Sequence, residues 1–192
     1  MCKIVYLTTR CFDKASRDFR DALAEELRSR KIEVVVNSTC YLKQLFAKHH
    51  TYGMAIAIDF FRDNQNGCGL TLNRKCPFIS RDFAYNLSNI LDILTPTIKW
   101  RDFKFVDSDD DDWYKFFNKI SASTKTIIYL CTKNNEQDWE TYQLAFDKLI
   151  KSFANEIIRC LRSNYDYIKY NQSAKLAKLK LRKMEYDYGM DE

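Results

Sequence analysis

The sequence predicts one α/β domain: a mainly parallel, twisted sheet with helices on both faces, followed by a C-terminal helical extension. Three observations carry this. The chain opens β-α-β, which implies a parallel pair with a right-handed crossover. Apolar runs of strand length then alternate with stretches of helical periodicity as far as residue 161. Its 192 residues, 46% of them hydrophobic, suffice for one domain with a proper core and an appendage.

The elements follow in order. Residues 3–7, KIVYL, form a short β-rich run, and 8–13 are expected as a loop. Residues 16–30 read as a helix because Phe19, Ala22, Leu23 and Leu27 recur at helical spacing; Ser16 or Asp13 would cap it. Residues 32–36, IEVVV, are the second strand, and 41–49 a short helix. The third strand spans 54–58 and ends on Asp59; a polar loop with Gly67 follows, and 69–72 form the fourth strand. Residues 80–94 are a helix with Phe83, Leu87, Ile90, Leu91 and Leu94 on one face. Residues 104–106 are a weak strand, 112–120 a short helix, and 126–131, TIIYLC, the last core strand. A long helix over 138–161 turns Tyr142, Ala145, Phe146, Leu149, Ile150, Phe153, Ile157 and Leu161 inward. After Arg162 the pattern changes, with Tyr165, Ile168, Leu176, Leu179 and Leu181 spaced less regularly among lysines. The expected division is a domain over 1–162 and a basic helical extension over 163–192.

Composition narrows the function. Four glycines and two prolines argue against a Gly-rich phosphate loop and against disordered linkers. The net charge of +5 does not announce a nucleic-acid binder. The charge is uneven: Asp107, Asp109, Asp110, Asp111 and Asp112 form an acidic knot, and residues 169–183 carry six Lys or Arg and no acid. The knot lacks the central glycine and terminal glutamate of a calcium loop and reads as a helix cap. The seven cysteines are odd in number and contain no Cys-x-x-Cys pair, so free thiols in a reducing compartment are expected. No signal peptide opens the chain and no run reaches membrane-spanning length, so a cytoplasmic product is expected, or a virion part made in a host cytoplasm.

Candidate chemistry is sparse. In open α/β sheets the site lies beyond the carboxyl ends of the strands, which makes Asp59 the first candidate, with Arg62 just after it. Thr8, Thr9 and Arg10 follow the first strand and precede a helix, the position for anion binding at a helix N-terminus. A Rossmann-like nucleotide or nucleoside binder is therefore an alternative. The only histidines, His49 and His50, are adjacent; on a helix they diverge by about 100° and cannot share one metal. No Gly-x-Ser-x-Gly elbow is present.

The order of elements resembles the zinc-dependent N-acetylmuramoyl-L-alanine amidases, the cell-wall amidases of bacteria and their phages. The family's helix ends in a strand after "ELRxRGxEV"; here stands ALAEELRSRKIEV, residues 22–34. Its strand ending Ser-Ile-His-Ala-Asn matches Ala57-Ile58-Asp59-Phe60-Phe61, its "GVEVYY" strand matches Gly69-Leu70-Thr71-Leu72, and its "S..LA..I" matches Ser80 to Ala84. Its closing strand and helix match Ile127 to Cys131, Asn134-Asn135 and the helix from Asp138. The resemblance covers residues 3 to about 161. It implies the amidase fold, and it implies where a zinc site would fall. The first zinc histidine falls near Arg10, the zinc glutamate near Phe12 or Asp13, the second histidine on Asp59, and the catalytic glutamate near Tyr129. Asp13 and Asp59 are thus the candidate catalytic residues, and two carboxylates without imidazole hold zinc poorly. The expectation is an amidase-like scaffold without amidase chemistry, with no metal and no cofactor. Its partner would be a protein or a second copy, engaged through residues 163–192, with peptidoglycan as a candidate ligand. An active cell-wall hydrolase with displaced ligands is the alternative.

Overall fold

The computed structural model describes residues 4–9, 13–36, 52–63, 66–74, 76–106, 116–117 and 120–188; of residues 102, 103, 106 and 164–188 it describes the backbone alone. The helix expected over 41–49, both histidines, Arg10, the acidic knot and most of the helix expected over 112–120 lie outside the described residues.

The element order is β1 (Val5–Thr9), α1 (Lys14–Ser29), β2 (Val34–Val36), β3 (Tyr52–Phe61), β4 (Cys68–Asn73), α2 (Phe78–Leu94), β5 (Trp100–Val106), β6 (Ala122–Thr132) and α3 (Glu136–Tyr188). The six strands form one sheet in the order β2-β1-β3-β6-β4-β5. Every described pairing is parallel except β4 with β6. The last strand in the chain therefore sits in the middle of the sheet. It separates β3 from β4, which are consecutive in sequence.

Several strands outrun their sequence signals. β3 extends past 54–58 at both ends, because its ladder with β6 runs from Tyr52 to Phe61, while that with β1 covers Met54 to Ile58. β5 spans seven residues where three were expected. Thr8 and Thr9, expected in a loop, belong to β1 and pair with Ala57 and Ile58. A β-branched residue fits a pleated surface, and the ladder with β3 holds both threonines, whereas the described pairing with β2 ends at Leu7.

The alternation of β3 defines two faces. Met54, Ile56, Ile58 and Phe60 join the larger core, which also takes the inner sides of α1, α2 and α3. Phe19 of α1 is fully buried there, with its ring 5.7 Å from those of Phe146 and Phe153 on α3. Truncating such a phenylalanine costs about 3–5 kcal/mol. Ala55 and Ala57 point to the far face, where they cluster with Tyr6, Tyr52, Ile127 and the helical residues Phe116 and Phe117. Lys125, on the same strand as Ile127, donates to the carbonyl of Phe117 and ties that segment to the sheet.

Asp13 caps α1: its Oδ2 accepts from the Ser16 amide at 3.3 Å. The other end closes with the Lys31 amide on the Arg28 carbonyl and the Ile32 amide on the Leu27 carbonyl. That is the Schellman pattern, and it puts Lys31 at φ 63°, the left-handed region that favours glycine. α2 and α3 are clamped by Arg159, which reaches Asp82 and the buried Glu156, while Asn86 also donates to Glu156. α3 is 53 residues long, about 80 Å at 1.5 Å per residue. Its periodicity changes after Arg162, but the helix continues. No glycine or proline interrupts residues 136–188, and Gly189 follows.

Candidate functional site

The carboxyl ends of β1, β3 and β6 lie together at one edge of the sheet, with Thr9 level with Ile58 and Asp59 level with Tyr129. Ile58 and Phe60 both enter the core on the helix side, so Asp59 between them points to the far face. Asp59 is buried, and its Oδ1 accepts from the amide of Phe60 at 2.9 Å. The ladder with β6 shifts between Asp59 and Phe61. Such an irregularity re-aims a side chain. The ring of Phe61 stacks on Tyr129, centroids 4.3 Å apart and planes 4° from parallel.

The guanidinium of Arg101 covers Phe61, 4.1 Å from the ring centroid. Two rings in stacked contact leave only one face of Phe61 for it, so Phe61 is sandwiched. Arg101 is fixed in turn by Asp63, with its two terminal nitrogens donating to the two carboxylate oxygens at 2.8 and 2.7 Å. Gly67 makes this crossing feasible. A Cβ there would lie 1.9 Å from Cγ of Arg101 and 2.3 Å from its Cδ, and the backbone at φ 152° is one that side-chain-bearing residues rarely adopt.

The structure does not bring the two candidate carboxylates together. Asp13 sits on the helix side at the start of α1, where Lys133 donates to its Oδ1 at 2.5 Å. Burial alone would raise the Asp13 pKa; the bonds from Lys133 and Ser16 and the lysine charge outweigh it and hold the carboxyl below its ordinary value. Thr8 and Thr9 are buried within β1, not displayed in a loop. Arg62 is exposed beyond β3, and its carbonyl accepts from Asn134. An open groove of about 590 Å³ lies elsewhere, on the helix side, with Trp139, Tyr142 and Phe146 among its walls and Lys14, Asp18 and Lys133 beside them.

Sequence reasoning missed two features. One is the Tyr129–Phe61–Arg101–Asp63 stack. The other is Asp138, which read only as the start of a helix. Asp138 is fully buried, and its Oδ2 accepts from the amides of Gly67 and Thr132. It ties the turn before β4 and the end of β6 to the first turn of α3. A carboxylate early in a helix is a generic capping signal, so its long reach was not visible.

A catalytic zinc centre needs three protein ligands and an open position. Among the described residues, no three His, Cys, Asp or Glu side chains gather into a group that could hold an ion. The implied glutamate position holds Tyr129, whose ring is engaged by Phe61.

No family model matches the chain, and no curated protein matches it in sequence. Solved structures do match. The catalytic domain of the CD27L endolysin targeting Clostridia difficile superposes with a TM-score of 0.60 at 14% identity, over 83% of this chain and 97% of its own. The N-acetylmuramoyl-L-alanine amidase AmiC2 of Nostoc punctiforme does so with a TM-score of 0.59 at 12% identity, over 83% and 98%. The CwlD amidase from Clostridioides difficile, solved in complex with the GerS lipoprotein, gives 0.56 at 13%, over 85% and 98%. At such identities the likeness establishes the fold: this chain has the α/β fold of N-acetylmuramoyl-L-alanine amidases, with a long C-terminal helix.

Proposed function

We propose that this chain is an amidase-like domain that acts by binding and carries no amidase chemistry, as a structural or accessory protein of a phage. One arrangement supports the reading. The positions that the amidase resemblance assigns to a zinc histidine and the catalytic glutamate hold Asp59 and Tyr129, and Tyr129 lies under a Phe61–Arg101–Asp63 stack. Tyr129 offers no carboxylate there, and its ring is engaged by Phe61. Asp59 accepts from the Phe60 amide.

Residues 163–192 are the docking element in this reading. The helix that would present them continues unbroken from the domain to Tyr188, and the sequence there sets leucines among lysines. A helix laid in a partner's groove is a common way to cover such residues. The partner is a protein or a second copy, and peptidoglycan is the candidate ligand of the domain.

The alternative, a cell-wall hydrolase with displaced ligands, draws on the fold and on a buried Asp59 at a strand end. Purified peptidoglycan separates the two. The binding reading expects the chain to sediment with insoluble cell walls while releasing no stem peptides. Turnover that is lost in Asp59→Ala would establish the hydrolase. Truncation after Arg162 tests the tail: light scattering of the full and shortened chains, with a pull-down, should show association only for the full chain. Equal behaviour of both would remove the docking role.

A further inference from the structure

The groove on the helix side runs between the first turns of α1 and α3, and its lining lies wholly within the described residues. These helices start just beyond the ends of β1 and β6, so the groove opens at the same pole of the sheet as Asp59 but on the opposite face. Its floor is aromatic. Trp139 and Phe146 are half-buried and seven residues apart on α3, so they share a face and stand about 10.5 Å apart along the axis. Buried Tyr142 sits between them, its ring centroid 5.2 Å from that of Trp139 and 5.8 Å from that of Phe146. Phe60 backs Trp139 and Phe19 backs Phe146, with centroids 5.7 Å apart in each pair. The core thus fixes both rings from behind, which lowers the cost of binding to them.

The rims are polar. Lys14 and Asp18 stand about one turn apart on α1, and Gln143 and Asp147 about one turn apart on α3. All four are exposed, and among the described residues no hydrogen bond or ion pair engages their side chains. The lining mixes two lysines with two aspartates, so it selects neither an anion nor a cation strongly. We infer that this groove takes the glycan backbone of the peptidoglycan proposed above, an inference that rests on that reading, with pyranose rings laid on Trp139 and Phe146. The C–H face of a pyranose suits the negative face of an aromatic ring. Its hydroxyl and acetamido groups both donate and accept, and the rims match them: Lys14 donates, the aspartates accept and Gln143 does both. An apolar peptide side chain would cover the floor and make no use of the rims. An open groove with two aromatic stations also admits a polymer running through it, where an enclosed pocket would admit only a chain end.

Calorimetric titration of the full chain tests this with two soluble probes. One is a short chitin oligosaccharide, an uncharged analogue of the glycan backbone; the other is the free stem peptide. The oligosaccharide should bind and the peptide should not. Lys14→Ala, Gln143→Ala and Asp147→Ala should each weaken the oligosaccharide roughly five-fold, for one lost hydrogen bond, while urea unfolding does not move. Trp139→Ala, checked for folding by circular dichroism, should abolish binding, and Trp139→Phe, which keeps a ring, should retain most of it. No binding of the oligosaccharide overturns the inference, and so does binding that all these variants leave unchanged. Binding of the stem peptide in its place would assign the groove to the peptide and overturn it equally. In each of these cases the proposed function stands if cell walls still sediment the chain. Amidase turnover would remove the proposed function, and loss of the oligosaccharide in the groove variants would still uphold the groove.

Discussion

Gly67→Ala should destabilise the fold through Arg101. The added Cβ would fall 1.9 Å from Cγ and 2.3 Å from Cδ of Arg101, and 2.9 Å from the Lys99 carbonyl oxygen. The arginine must leave its place. It then loses the stacking on Phe61, about 1 kcal/mol, and the two-point bond to Asp63. That carboxylate is half exposed, so water screens the bond and it contributes only about 0.5–1 kcal/mol. Holding alanine at φ 152° costs about 1–2 kcal/mol more. The sum is about 3 kcal/mol, read by urea denaturation. Arg101→Ala alone should cost about 1–2 kcal/mol, from the same two contacts. In that background Gly67→Ala meets no arginine stem; the backbone cost of about 1–2 kcal/mol remains, with the 2.9 Å contact on the Lys99 carbonyl oxygen, so the substitution should cost clearly less than in the wild type. If Gly67→Ala costs the same in both backgrounds, the clash with Arg101 is not what keeps glycine there, and the reasoning is wrong.

Three further outcomes are expected. Lys31→Gly should stabilise the protein by about 0.5–1 kcal/mol in thermal or urea unfolding, because Lys31 holds a left-handed φ of 63° at the end of α1. Asp138→Ala should cost about 2–4 kcal/mol, since it strands the buried amides of Gly67 and Thr132; Asp138→Asn, which keeps an acceptor oxygen, should cost clearly less. Cys68 and Cys160 have their thiol pKa pushed up to about 12 by burial, and burial pushes Cys131 up as well, so these three should resist alkylation at pH 8 until the protein unfolds. Peptide mapping by mass spectrometry should find Cys76, which is half exposed, modified in the native protein.

The helices were legible because each has a local cause. In α1, Phe19, Leu23 and Leu27 repeat at 3.6 and are buried, and Asp13 supplies a cap; in α2, Phe83, Leu87 and Leu91 are buried as their spacing predicts. The strands were legible as apolar runs, but their ends were not. The ladder partners that carry β1 through Thr9 and β3 to Phe61 are remote in sequence. The insertion of β6 between β3 and β4 has no local signal at all. At the sheet end, Asp59 could be picked out because it follows a buried run. What surrounds it could not. Tyr129, Phe61 and Arg101 come from three strands, and no local pattern links them. Order and spacing of weak patterns sufficed to name the fold at 12–14% identity. They say nothing of side-chain stacking, which is where the chemistry of the site is decided.

We propose that the amidase-type fold here carries no amidase-type metal centre. Zinc titration of the full-length chain, followed by calorimetry and by elemental analysis after exhaustive dialysis, tests it most directly. The account predicts less than stoichiometric retention of zinc and no change in that figure on Asp59→Ala. One retained zinc per chain, abolished by Asp59→Ala, would contradict it.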